Sequence, residues 1–133
     1  MKYPLDEIKP GAKVKGISMV ELGQGNQPQD MFIYEKDGRS YVLVNTVRRF
    51  GKPFGPSQYW TARVDLDLLR QNDKVNEQAT RRVDAQTQPI TDRIKMVDSY
   101  HGVVHMDRLD KDHALVLRED GNKGFKLEPL LLP

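Results

Sequence analysis

The chain has 133 residues, of which 21 are basic, 19 are acidic and 38% are hydrophobic. This length is typical of one domain, spanning residues 1–133, and the formal net charge of +2 does not indicate a nucleic-acid partner. Because the sequence has no cysteine, it excludes disulfides, thiolate metal sites and a cysteine nucleophile.

The N-terminal segment predicts irregular structure followed by one strand. Pro4 and Pro10 interrupt it and leave room for one helical turn at Leu5–Lys9. It holds no apolar signal core, and no run in the chain approaches the ~20 apolar residues of a membrane helix. We therefore expect a soluble chain with no signal peptide of its own. The apolar residues of Lys13–Leu22 then predict a strand.

A turn rich in glycine and proline follows at Gly23-Gln-Gly-Asn-Gln-Pro28. The Gly23-x-Gly25 pair does not predict a phosphate loop, because Pro28 stands where the dinucleotide fingerprint needs a third glycine. A strand also follows it, where that fingerprint needs a helix.

The clearest element is a β-hairpin over Asp30–Asn45. Two apolar, β-prone runs, Met31–Tyr34 and Tyr41–Val44, flank a turn at Asp37-Gly38. Glycine accepts the positive φ of a tight hairpin turn, and aspartate tolerates it. Both runs are apolar on both faces, which predicts strands that are covered on both sides.

Residues 46–59 predict a long loop, because glycine and proline are too frequent there for a regular element. Arginine beside aromatic rings can grip anions or stack on planar or sugar-like ligands. The structural alternative is a solvated connection whose phenylalanines cover the edge of the core. If the loop binds a ligand, the candidate residues are Arg48, Arg49, Phe50, Lys52, Phe54, Tyr59 and Trp60.

Strict alternation of apolar and polar residues over Trp60–Leu68 predicts a strand with one face on the core and one in water. Asp65 and Asp67 share the polar face. With no third oxygen ligand apparent, they indicate a solvated face rather than a cation site. The polar residues 70–92 predict a linker with a short helix near Asp73–Asp84.

The last third of the chain predicts strands separated by turns at Leu109–Asp112 and Asp120–Gly124. The four strands are Arg93–Tyr100, Gly102–Arg108, His113–Arg118 and Gly124–Leu132. On a strand, His101 and His105 would stand ~13 Å apart at about 3.3 Å per residue, too far to chelate one ion. The sequence assigns no role to these histidines or to His113, and it predicts no catalytic residue, metal or cofactor.

An internal repeat emerges when the chain is shifted along itself by 73 residues, the offset between Tyr41 and Ala114. The hairpin then superposes on a second one, and residues 13–69 and 93–133 resemble two copies of a four-stranded unit. The sequence thus predicts an all-β protein of two blade-like four-stranded antiparallel sheets, similar to a propeller fragment. A small closed barrel or a β-sandwich with one short helix is the alternative.

The run Gly25-Asn-Gln-Pro-Gln-Asp-Met31, followed by Tyr34-x-Lys-Asp-Gly-x-x-Tyr-Val-Leu-Val44, resembles the blade motif of extracytoplasmic bacterial β-propeller repeat proteins. The resemblance covers Lys13–Leu69 well and Arg93–Pro133 less closely. Since a propeller closes with about 4–8 blades, it implies the C-terminal blades of a larger extracytoplasmic protein, or a homo-oligomer that completes a ring. It implies no catalytic residue.

Two functions remain open at the level of sequence. The first is a non-catalytic binding or scaffolding module for an unknown protein or small-molecule ligand, with the Arg48–Trp60 loop and the polar segment Arg70–Gln88 as contact surfaces. The alternative is part of a propeller-type enzyme, a hydrolase or oxidoreductase, whose active site is shared with further blades or another subunit.

Overall fold

Two antiparallel β-sheets dominate the computed structural model, which describes residues 1–20, 22–23, 25–71 and 93–133. The strands are β1 (Asn26–Lys36), β2 (Arg39–Arg48), β3 (Tyr59–Asp65), β4 (Ile94–Met96), β5 (Val103–Arg108), β6 (His113–Glu119) and β7 (Phe125–Leu131). One α-helix, α1, covers Leu66–Gln71, and 3₁₀ turns cover Leu5–Glu7 and Asp98–Tyr100.

The prediction of an all-β chain with antiparallel sheets is confirmed, although the two sheets differ in size. The first has four strands in the order β1-β2-β3-β4, and the second has three in the order β5-β6-β7. Within the described ranges neither sheet closes into a barrel. The predicted strand Arg93–Tyr100 shortens to β4, and it pairs with β3 instead of leading the second sheet.

The predicted hairpin is present as β1 and β2, and its turn has the predicted chemistry. Asp37 and Gly38 both have positive φ, 51° and 71°, as a tight two-residue hairpin turn requires. Coverage on both sides holds for β2, which is buried from Val42 to Arg48. It was wrong for β1, whose Met31 and Ile33 are more than half exposed on the face that points away from the second sheet.

Two other predicted strands change in the structure. The run Trp60–Leu68 is a strand only to Asp65, whose Oδ1 accepts a hydrogen bond from the Asp67 backbone N–H at 2.9 Å and so starts α1. Thr61, predicted to face water, is fully buried. The predicted strand Lys13–Leu22 is wrong, since its described residues contribute a single β-bridge. The predicted helix near 73–84 lies outside the described residues.

The two sheets pack on each other around one hydrophobic cluster. Tyr34 and Leu43 of the first sheet meet Val103, Met106 and Val116 of the second, and all five are buried. Burial of each such side chain contributes roughly 1.5–3 kcal/mol to folding. A second cluster lies on the opposite face of the four-stranded sheet, so this sheet has apolar packing on both of its faces.

A buried asparagine joins the sheets at two β-bulges. The pairing register shifts in β1 around Asp30 and in β5 around Val104, and bulges leave backbone groups without ladder partners. The Asn45 Nδ2 donates to the carbonyl oxygens of Val103 and Val104 at 3.0 and 2.8 Å, and its Oδ1 accepts from the Asp30 N–H at 3.3 Å. The Asp30 carboxylate in turn accepts from the Met106 N–H at 3.1 Å. Together these bonds fix the position of one sheet against the other.

Two buried tyrosines attach the end of the chain to the core. The Tyr34 hydroxyl donates to the Pro133 carbonyl oxygen at 2.7 Å, and the Tyr100 hydroxyl donates to that of Leu131 at 3.0 Å. Desolvation by burial raises the pKa of each phenol to about 12. Both side chains therefore stay neutral well above the pH at which a free tyrosine ionises.

Candidate functional site: an apolar groove on the four-stranded sheet

The candidate site is a groove on the face of the four-stranded sheet that points away from the second sheet. Its floor is formed by Val42 and Val44 of β2 and by Val64 of β3. The register places these three side chains on one face, because Val42 pairs with Val64 and Val44 pairs with Ala62. Met31, opposite Val44 in β1, extends the floor to the edge of the sheet.

The N-terminal segment forms the wall of the groove. Lys2 and Ile17 exchange backbone hydrogen bonds of 2.8 and 2.9 Å, which tie residues 1–5 to residues 16–20. The Tyr3 ring packs directly on Gly16, where an added Cβ would lie 2.6 Å from the ring. The apolar residues of the predicted strand Lys13–Leu22 therefore serve this wall, where Met19 and Leu22 are buried.

The chemistry of the groove is aliphatic. Its volume is about 820 Å³, within the range of small-molecule sites, which is roughly 300–1,000 Å³. Among the lining residues, polar side-chain atoms come from Lys2, Tyr3 and Asn26. The other lining residues are apolar or glycine: Met1, Leu5, Met19, Val20, Leu22, Gly23, Pro28, Met31, Val42, Val44, Val64 and Leu69. A groove of this composition removes apolar ligand surface from water while offering few hydrogen bonds.

The polar end of the groove is fixed by Asn26. Its Oδ1 accepts a hydrogen bond from the Trp60 indole at 2.9 Å, and its Nδ2 donates to the Leu22 and Gly23 carbonyl oxygens at 2.6 and 3.2 Å. The amide is thereby held in one orientation, and the wall segment is tied to the start of β1.

The predicted ligand-binding residues of the loop separate into a buried and an exposed group. Arg48, Phe54 and Trp60 belong to the core, with 2%, 7% and 0% of their surface exposed. Arg48 Cζ lies 4.1 Å from the centre of the Phe54 ring, which meets Trp60 edge to face at 5.2 Å. This stack stabilises the fold behind Asn26. Phe54 thus covers the edge of the core, as the structural alternative for the loop expects of its phenylalanines, whereas Phe50 does not.

The other four predicted residues lie nearer the solvent. Phe50 is 75% exposed, Arg49 and Lys52 are exposed, and Tyr59 is half-buried. The Arg49 Nε donates to Gln27 Oε1 at 3.1 Å, and this contact attaches the loop to β1. The described structure brings none of these four side chains into the groove.

The histidines pair with carboxylates at separate places. His105 Nδ1 lies 3.0 Å from Asp30 Oδ2, and His113 Nδ1 lies 3.0 Å from Asp110 Oδ1. The pKa of the Asp110 carboxyl lies below its ordinary value. The hydrogen bond from the backbone N–H of Asp112 is the largest cause, and His113 lowers the pKa further. Among residues 1–20, 22–23, 25–71 and 93–133, no group of three or more such side chains could hold a metal ion.

Sequence reasoning missed the groove because its residues come from five separate segments. The run Lys13–Leu22 was predicted to be a strand, and this prediction hid its role as a wall. A usable signal did exist: Phe32 and Tyr34 make one face of the hairpin's first strand apolar, and Met31 and Ile33 make the other face apolar as well. An apolar second face on an edge strand indicates that another surface packs there.

Comparisons with protein-family models, with curated proteins and with solved structures gave no match for this chain. In the part of the chain that the structure describes, none of the helices has the length and apolar character needed to span a membrane. The function of the groove is therefore argued from its own geometry and chemistry.

Proposed function

We propose that this protein is a binding module that holds an aliphatic ligand in the groove on the four-stranded sheet. The observation that carries the proposal is a preformed cavity of about 820 Å³ lined mostly by valine, leucine and methionine side chains. Apolar area removed from water contributes about 25 cal/mol per Å², so an alkyl chain gains affinity along its length. The Arg48–Trp60 loop then acts as structural support rather than as the contact surface.

The test is a titration with decanol, a neutral alcohol with a flexible alkyl chain, followed by methyl-detected NMR. We expect shifts at Val42, Val44 and Val64. Met31→Glu should weaken binding by about tenfold or more, because it places a charge in the apolar lining of the groove. Met31 is 63% exposed in the free protein, so the substitution is compatible with folding.

Ile33→Glu is the matched control. Ile33 lies two residues along the same face of β1, is 53% exposed and is outside the lining of the groove. It should change decanol affinity by no more than about twofold, a difference of about 0.4 kcal/mol. Equal effects of the two substitutions, or decanol shifts confined to the second sheet, would refute the proposal.

A second candidate function is a blade pair that packs against further β-sheets, as in a propeller or a homo-oligomeric ring. It is favoured by the outer face of the three-stranded sheet, where Phe125, Leu127 and Leu131 are 59%, 64% and 70% exposed. They alternate along β7 and so project from one face. An enzyme with an active site shared between such blades would be one form of this assembly.

Sedimentation of the wild type and Leu127→Glu distinguishes the candidates. If the outer face packs on another copy, the wild type should sediment as an oligomer and the variant should be shifted toward the monomer, with decanol binding retained. A wild type that is monomeric at all concentrations would contradict self-association.

A further inference from the structure

A basic pocket lies on the opposite face of the four-stranded sheet from the groove. It is a small concavity of about 70 Å³, lined by Arg39 and Tyr41 of β2, Arg63 and Asp65 of β3, and Arg93 and Lys95 at β4. The strand register brings these side chains together, because Tyr41 pairs with Asp65 and Arg63 pairs with Lys95. Side chains of paired residues project from the same face of a sheet.

The charges of this pocket are unbalanced. Among the lining residues that the structure describes, four are cationic and one is a carboxylate, and an oxygen of that carboxylate already accepts the Asp67 N–H that starts α1. Arg63 and Lys95 are directly opposite in antiparallel strands, where like charges destabilise a sheet. A bound anion between the cations would relieve this repulsion.

The central guanidinium is positioned by aromatic side chains. Arg63 Cζ lies 4.7 Å from the centre of the Tyr41 ring, and that ring packs on Tyr34 at 5.5 Å. Tyr34 is fully buried, and its hydroxyl is held by the Pro133 carbonyl oxygen. Arg63 is therefore anchored through two rings to the core, and a fixed guanidinium presents a planar fork that suits phosphate oxygens.

We propose that this pocket binds a phosphate group. A compact anion with more than one negative charge matches a small polar cavity with an excess of cations, and a carboxylate would neutralise less of that charge. The site is independent of the groove, since the two lie on opposite faces of the sheet and share no lining residue.

The experiment is a titration of the whole chain with inorganic phosphate, methyl phosphate and acetate at low ionic strength, followed by NMR. We expect phosphate shifts at Tyr41 and Arg63, and acetate binding at least about tenfold weaker than phosphate binding. Tighter binding of methyl phosphate than of phosphate would indicate a phosphomonoester on a larger molecule. The reverse order would indicate the free anion.

Lys95→Glu and Lys52→Glu form the matched pair, because both lysines are exposed and both substitutions change the net charge equally. Lys95→Glu should weaken phosphate binding by about tenfold or more, and Lys52→Glu by no more than about twofold. Arg63→Lys tests the fork, because it keeps the charge and should still weaken binding. Equal effects at Lys95 and Lys52, acetate binding as tight as phosphate, or no shifts at the pocket would overturn the proposal.

Discussion

The two buried tyrosines predict a steep loss of stability at alkaline pH. Tyr34 and Tyr100 have a pKa of about 12 in the folded protein, compared with the ordinary value of 10.0. Since a tenfold change in an ionisation constant corresponds to about 1.4 kcal/mol, each difference represents roughly 3 kcal/mol. The two together represent roughly 5–6 kcal/mol, a large share of the 5–15 kcal/mol typical of a domain.

The direction of this change in stability follows from the linkage between proton binding and folding. A folded pKa raised above the unfolded value gives a contribution that is fully present below pH 10, where both states are neutral, and is lost as the pH rises to about 12. Urea denaturation followed by circular dichroism at closely spaced pH values measures this loss as a falling free energy of unfolding. Ultraviolet absorbance of tyrosinate reports ionisation in the same samples.

The variant Tyr34→Phe/Tyr100→Phe removes both ionisable phenols. It should be less stable at neutral pH by about 1 kcal/mol for each lost hydrogen bond, yet it should lose far less stability than the wild type between pH 10 and about 12. Tyr3→Phe is the control, because Tyr3 is 47% exposed and should leave the pH profile unchanged. If the double variant and the wild type lose stability equally over this interval, the buried phenols are not the cause.

Two further substitutions test the frame that positions both sites. Asn45→Ala should lower the free energy of unfolding by about 2–4 kcal/mol, because it leaves the Val103 and Val104 carbonyl groups unpaired in the core. Urea denaturation measures this loss, and Asn122→Ala is the control because Asn122 is exposed. Equal losses in the two variants would contradict the role of Asn45. Gly38→Ala should cost about 1 kcal/mol at its φ of 71°, while Gly38→Asn should recover part of this loss, since asparagine tolerates positive φ. Calorimetry measures both, and an undiminished melting temperature in Gly38→Ala would count against a strained turn.

The sequence was most informative where local chemistry decides the structure. Turns such as Asp37-Gly38 and the apolar runs beside them depend on backbone preferences that each residue carries with it, and β1, β2 and β5 to β7 were predicted on that basis. The alternation of apolar and polar residues did not predict that β3 ends at Asp65, because a carboxylate that caps a helix and one that faces water occupy the same place in the pattern.

The candidate sites were harder to predict because they depend on distant pairing. The floor of the groove requires β3 beside β2, and its wall requires a segment that carries strand-like residues without strand partners. The interleaving of cationic and aromatic residues predicted Arg48 and Phe54 as ligand-binding residues, whereas the fold buries them as a stack. The basic pocket combines Arg63 with Lys95 across a register that only the folded sheet defines.

The hydrogen bonds of Asn45 also have a consequence for the order of folding. Each sheet is a meander of neighbouring strands, so most of its contacts close over short stretches of chain. The link between sheets instead joins residues 58 and 59 positions apart through Asn45, and 76 positions apart through Asp30 and Met106. Contacts between residues far apart in sequence form slowly, because the entropy of loop closure is lost before the contacts contribute favourable free energy. We therefore expect the sheets to form early and their docking, completed when Asn45 becomes buried, to limit the rate.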